Sequence, residues 1–296
     1  MIGLLRNGFI SMKKLSQAII IASLMALPFV GFAATSAKTP AASKASSTAA
    51  ATKLVNKILN GQGSIQQTFT AVDGLIGFVV QSGQGNNGII YADAKGQYVF
   101  VGSVIDAQGK DLTQQYTSQY INKKIAGPAY KDAANLGWFT AGSDSAPHKA
   151  YMIFDPNCVY CHLLYKQVQP LIDKGQLQVR WVPVAFRDPS SPGKAAAMLN
   201  AGSDAAADKL LQQNEDGFND QSESGGLTPL APNPSDTGVT AAFTKVTQNT
   251  AYFTKYGFQG TPTILFKKAD GTVVMIPGLP RDQAFQDMVN SMGSSW

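Results

Sequence analysis

The sequence predicts an antiparallel α+β domain, a helical connector and an α/β domain carrying a helical insertion. Three observations lead there. Between residues 75 and 105, short runs rich in Val, Ile, Phe and Tyr are separated by Gly- and Asp-rich turns. Across 112–139 the apolar spacing changes to that of a helix. From Lys149 onward, strand, helix and strand patterns follow one another, a long helical and polar stretch intervenes, and the order resumes as strand, strand, helix.

Residues 1–33 read as a signal peptide. Lys13 and Lys14 precede the apolar run Ala18–Phe32, and the small residues Gly31 and Ala33 sit where a cleavage site before Ala34 needs them. The run, interrupted by Pro28, is about 15 residues long, whereas a bilayer span needs about 20. Met12-Lys13-Lys14 would itself make a normal start, so the first residue of the leader is open between Met1 and Met12. Residues 34–52, built from Ala, Ser, Thr, Lys and Pro, read as a flexible tether.

The first domain is expected over 53–112. A short amphipathic helix around Lys53–Leu59 carries Leu54, Val55, Ile58 and Leu59, and strands are expected at Leu75–Gln81, Ile89–Ala92 and Tyr98–Ile105. Tyr98-Val99-Phe100-Val101 is apolar at consecutive positions, so both faces of that strand want cover: one can take the helix, the other a second subunit or more core. A linker helix follows over 113–142, with Leu112, Tyr116, Tyr120 and Ile121 at helical spacing, a break at Gly127-Pro128, and resumption through Ala129–Leu136.

The second domain is expected over 143–296. It reads as strand Ala150–Asp155, helix Cys158–Lys174 with Pro170 near its end, and strand Leu177–Ala185. An insertion over 186–257 holds helical patches at Lys194–Asn200, Ala205–Asn214 and Val239–Tyr256 around a Gly/Pro/Ser-rich loop at 217–238. Strands Thr263–Phe266 and Thr272–Ile276 flank the Asp270-Gly271 turn, and helix Arg281–Met292 closes the chain.

Composition narrows the function. Charged residues are 15% and hydrophobic ones 44%, the reverse of a disordered chain. The formal charge is +5, but Arg6, Lys13 and Lys14 lie in the leader, which contains no Asp or Glu, so 5 − 3 = +2 remains. That is too little for a nucleic-acid footprint.

The only cysteines are Cys158 and Cys161, spaced Cys-Val-Tyr-Cys at a strand-to-helix junction. A disulfide there closes a tiny loop and stabilises weakly, so in an exported chain it reads as a redox centre rather than a staple. At a helix start, unpaired N–H groups and the helix dipole favour a thiolate. Cys158, nearer the terminus, is expected to attack, and Cys161, one turn in, to resolve the mixed disulfide. Cys158 to His162 also spells the c-type haem attachment pattern, but no second axial-ligand motif accompanies it and the preceding strand and a downstream Thr-Pro argue for exchange. Zinc would need His148 and His162 beside the two cysteines, and no metal role is expected. Thr261-Pro262 opens a strand, where proline cannot donate to the ladder; with the cysteine pair upstream it reads as a cis-proline that leaves the Thr261 backbone free to pair with an extended substrate.

Phe154-Asp155-Pro156-Asn157-Cys158-Val159-Tyr160-Cys161 and Gly260-Thr261-Pro262-Thr263 resemble the thioredoxin-fold domain of the DsbC/DsbG family, periplasmic thiol:disulfide isomerases and reductases. Tyr98–Gly102 through Asp111-Leu112 resembles the end of that family's N-terminal dimerisation domain, Ala126–Phe139 its linker helix, and Ser191–Leu199 and Val246–Thr263 its helical insertion. Two cysteines bring the chain closer to DsbG; Val159 stands where DsbG has proline and DsbC glycine, while Tyr160 matches. The resemblance implies a cystatin-like antiparallel dimerisation domain and a V-shaped periplasmic homodimer. It implies no cofactor beyond the redox-active Cys158–Cys161 pair, catalytic Cys158 and Cys161, and substrate contacts at Val159, Tyr160, Thr261 and Pro262. Its partners would be unfolded or misoxidised periplasmic proteins and a DsbD-type membrane electron donor. Reduction of sulfenic acids on client cysteines starts from the same thiolate. A net dithiol oxidase of the DsbA type and a non-catalytic chaperone are the alternatives.

Overall fold

A computed structural model describes residues 41–296, apart from 84 and 86. The leader 1–33 and the start of the expected tether, 34–40, lie outside the described residues. The rest of the tether is a correction: helix α1 spans Ala41–Leu59, not only Lys53–Leu59. Ala is the strongest helix former, so an Ala-rich stretch can continue a helix once Ala51 and Val55 anchor it on a sheet.

That sheet is antiparallel, in the order β1 (Gly63–Thr70), β2 (Leu75–Ser82), β3 (Asn87–Asp93), β4 (Val99–Val101). Strand β1 was not expected, because Gln66, Gln67 and Thr68 mask its alternation; its inward positions are Ile65, Gln67 and Phe69, with a bulge at Gln66. Strand β4 is shorter than the expected Tyr98–Ile105. One face of the sheet takes α1 through Ile76, Phe78 and Ala92. The other buries Phe69, Val79, Ile89 and Tyr91 under Ile121, Tyr116 and Tyr120 of the connector. Phe69 lies over its cross-strand partner Gly77, and its ring stacks on Tyr120 at 4.3 Å.

The connector is α2 (Leu112–Thr117), a π-helical turn Ser118–Asn122, and α3 (Lys123–Ala133). Gly127-Pro128 lies inside α3 and does not break it, because Ala126, Ala129, Tyr130 and Ala133 are buried and hold the helix down on either side of the proline. The expected boundary at 142 also moves. Phe139–Ala141 forms β5, an edge strand of the second sheet that was missed because it is only three residues long.

The second sheet runs β5-β7-β6-β8-β9, with β6 (His148–Phe154), β7 (Leu177–Pro183), β8 (Thr263–Lys267) and β9 (Val273–Pro277). β6 and β7 are parallel, joined by α4 (Val159–Asp173); the other neighbours are antiparallel. α4 and α8 (Asp282–Ser291) cover one face through Leu164, Val168, Phe285 and Met288. α3 and α7 (Thr237–Lys255) cover the other through Tyr130, Tyr252 and Phe253. The insertion also contains α5 (Ser191–Leu199) and α6 (Asp204–Asp216), close to the positions expected. Its α7 is pinned by the fully buried Asn249, whose amide donates to the Gly137 and Pro183 carbonyls at 2.8 Å each and accepts from Gly137 N–H at 3.0 Å.

Two substitutions test this packing. Gly77→Ala places a methyl group against the Phe69 ring, and the repacking costs about 1–3 kcal/mol. Asn249→Ala strands buried backbone groups at Gly137 and Pro183 and costs about 2–4 kcal/mol. Urea unfolding should show both as lower midpoints. A midpoint unchanged for Asn249→Ala would mean that water replaces the amide.

Candidate active site

Strand β6 delivers the chain to the cysteines and a buried carboxylate turns it. Asp155, 1% exposed, follows the last residue of the strand. Its Oδ1 accepts from Asn157 N–H (3.0 Å) and the Ser191 hydroxyl (2.7 Å); its Oδ2 accepts from Phe186 N–H (2.9 Å) and Arg187 N–H (3.0 Å). Its carbonyl accepts from Cys158 N–H at 3.0 Å, so one residue ties the loop after β7 to the start of α4.

Cys158 is the N-cap of α4, in extended geometry (φ −96°, ψ 115°), and its carbonyl takes the N–H groups of Cys161 (2.9 Å) and His162 (3.0 Å). Its thiol donates to the Thr261 carbonyl at 3.3 Å across the cis Thr261–Pro262 peptide. Both cysteines are unbridged and buried, 2% exposed at Cys158 and 3% at Cys161. Their acidities split. Cys158 is lowered to about 6, first by a hydrogen bond from the Cys161 side chain; burial opposes this, and the backbone at Cys161 and Tyr160 adds to the lowering. Cys161 is pushed well above its ordinary value, first by burial and then by the neighbouring Cys158. One thiol is therefore a thiolate at neutral pH while its partner keeps its proton to donate.

The structure brings Cys158, Cys161, Thr261 and Pro262 together. Val159 opens α4 half-buried, and Tyr160, 50% exposed, points its ring to solvent. His162 turns inward. Its Nδ1 lies 2.7 Å from Glu215 Oε2, and its ring stacks on Phe218 at 4.3 Å.

Sequence reasoning missed the polar bed beneath the pair. Asn157, 1% exposed, donates to the Ser190 and Ser191 hydroxyls and accepts from Lys194 Nζ (2.7 Å), the Ser224 hydroxyl (3.2 Å) and Gly225 N–H (3.1 Å). Lys194 also donates to the Gly225 carbonyl at 2.6 Å, and its burial lowers its pKa. Asn214 donates to the Pro156 carbonyl (2.9 Å) and to Glu215 (3.0 Å). The available signals were Asp155 and Asn157 directly after an apolar strand, and a lone Lys194 among small residues in α5. Their partners lie roughly 30 to 60 positions away, beyond the reach of any local pattern.

Comparison with known proteins agrees with this geometry. Residues 140–293 match the family described as a thioredoxin-like domain, and residues 41–114 match that of the disulfide bond isomerase protein N-terminal domain. The chain is 28% identical over 222 residues to the thiol:disulfide interchange protein DsbG of Pseudomonas aeruginosa, covering 75% of this chain and 82% of that protein. It is 29% identical over 221 residues to DsbG of Escherichia coli, covering 73% and 82%. A Helicobacter pylori DsbG structure is a looser likeness: TM-score 0.36, 16% identity, 73% of this chain and 98% of that one. With an isomerase-type N-terminal domain, a thioredoxin-like sheet and a Cys-X-X-Cys opening its first helix, the chain belongs to the DsbC/DsbG family of thiol:disulfide interchange proteins.

Proposed function

We propose that the chain is an exported periplasmic homodimer that works as a disulfide isomerase or reductase, with Cys158 attacking and Cys161 resolving. The observation that carries this reading is the paired placement of the two sulfurs: Cys158 at the α4 N-cap against Thr261, its partner one turn deeper. The Cys158 thiolate attacks one sulfur of a client disulfide; a Cys158–client disulfide forms and the second client sulfur leaves as a thiolate. That thiolate can attack elsewhere and finally release Cys158, which is isomerisation without net electron transfer. Alternatively Cys161 loses its proton and attacks Cys158 Sγ, closing the Cys158–Cys161 disulfide and leaving the client with two thiols. Two electrons have then passed to the client, and a DsbD-type donor must return them. With a sulfenic acid the same thiolate attacks sulfur and water leaves after protonation. Val159, Tyr160, Thr261 and Pro262 would contact the client, the Thr261 backbone as a strand-pairing partner.

The homodimer reading draws support from the edge of the first sheet. Tyr98 (64% exposed), Phe100 (46%), Val101 (81%) and Ile105 (61%) are open on and beside β4, and an unpaired apolar edge is what a second copy covers. An oxidase needs neither that domain nor a dimer cleft, which favours the reductase direction. No helix among the described residues is long and apolar enough to cross a membrane.

Three outcomes follow. Iodoacetamide alkylation of the reduced protein should show one fast thiol, Cys158, whose rate falls about tenfold per unit below a midpoint near pH 6 and levels off above it. Cys161→Ala removes the strongest lowering influence and should move that midpoint up, with Cys161→Ser moving it less; a fast label on Cys161 would reverse the roles. Sedimentation should give twice the mature mass, and Phe100→Asp with Val101→Asp should give monomer. In acid-trapped periplasm the pair should be mostly dithiol and become disulfide when the membrane donor is lost. A pair that is mainly oxidised with the donor intact would instead mark an oxidase, and a full-length protein that handles clients equally well without either cysteine would mark a chaperone.

A further inference from the structure

On the thioredoxin-like domain, the large hydrophobic side chains left exposed among the described residues are Tyr160, at 50%, and Phe186, at 46%. Tyr160 lies between the cysteines. Phe186 is distant in sequence but tied to both loops that form the site. Its N–H donates to Asp155 Oδ2 at 2.9 Å, and Asp155 in turn holds Cys158 N–H through its carbonyl at 3.0 Å. Its ring packs on Phe253 at 4.8 Å, and Phe253 meets Phe258 edge-on at 5.6 Å, four residues before Pro262. The backbone anchor fixes Phe186 to the cysteine loop, and the ring ladder fixes it to the cis-proline loop.

We propose that Phe186, together with Tyr160, is the apolar contact that selects client segments carrying a bulky hydrophobic residue beside the reacting cysteine. This rests on the reading of Cys158 as the exchanging thiol. A ring already packed against a neighbouring ring loses little freedom on binding, and covering its exposed half with an apolar client side chain removes further apolar surface from water. Misoxidised and unfolded polypeptides present such hydrophobic residues, whereas small thiols do not. Anchored to the cysteine loop through Asp155 and to the cis-proline loop through Phe253 and Phe258, the ring lends its binding energy to a client segment docked at those two loops rather than at a remote site.

The test uses the full-length Cys161→Ala protein, which traps the mixed disulfide at Cys158, and two short peptides whose single cysteine is disulfide-bonded to glutathione. One peptide has Leu and Phe flanking the cysteine, the other Gly on both sides. Cys158 attacks the peptide sulfur, glutathione leaves as its thiolate, and mass spectrometry times the peptide adduct. The apolar peptide should react at least fivefold faster than the Gly peptide. Phe186→Ser should reduce that ratio about fivefold, and Phe186→Leu should keep most of it. Phe186→Trp, which preserves the packing on Phe253, should keep or raise the ratio and serves if the serine variant does not fold. Equal rates in the parent protein, or an unchanged ratio in Phe186→Ser, would overturn the contact while leaving the exchange reading intact. A sedimentation change in Phe186→Ser would assign the ring to contact between copies and overturn it too. No adduct with either peptide would instead bring down Cys158 as the exchanging thiol.

Discussion

The buried carboxylate of Asp155 holds the site together. A central strand ends at Phe154, and the chain must turn into α4 within four residues. Asp155 supplies acceptors to Asn157, Ser191, Phe186 and Arg187 at once, so the turn before the cysteines and the loop after β7 share one anchor. A buried carboxylate survives only with such donors around it, and they come from segments that must then lie close to Cys158. Asn157 and Lys194 extend the same arrangement into the insertion, which ties the helices of 186–257 to the first turn of α4.

On that platform the chemistry depends on depth. The two cysteines are three positions apart, and both are almost fully covered. What separates them is donors: Cys158, at the helix N-cap, receives hydrogen bonds that favour the thiolate, while Cys161 lies behind it and meets mainly the cost of burial. The hydrogen bond between their sulfurs acts in opposite directions on the two, lowering one pKa and raising the other. His162 faces inward, its Nδ1 hydrogen-bonded to Glu215 and its ring stacked on Phe218, and so ties the first turn of α4 to the insertion.

Energetically the N-terminal domain is a different case. Its sheet has helix cover on one face and the aromatic trio Phe69, Tyr116 and Tyr120 on the other, yet β4 leaves apolar side chains in water. The catalytic sheet has both faces covered by its own helices. The two sheets thus differ at their edges: among the described residues the first leaves an apolar edge in water at β4, while the second has both faces covered by its own helices.

The order of elements, the Cys-X-X-Cys at a helix start and the proline opening β8 were legible in the sequence, because each depends on local rules: period two or 3.6, capping geometry, and a residue without an N–H. Strand β1 was not, since a glutamine at the inward position 67 and the bulge at Gln66 erased the contrast that alternation needs, and β5 was too short to show a period at all. The start of α1 and the passage of α3 through Pro128 were decided by packing, which overrides local preference when Ala51, Val55, Ala129 and Tyr130 are buried. The polar bed of Asn157, Lys194, Asn214 and Glu215 and the position of Phe186 were decided only by the tertiary structure. Their partners lie far apart along the chain, and a hydrogen bond or a ring contact between distant segments leaves no periodic trace in one sequence; it exists only once the sheet has brought the ends of β6, β7 and β8 to the same edge of the molecule.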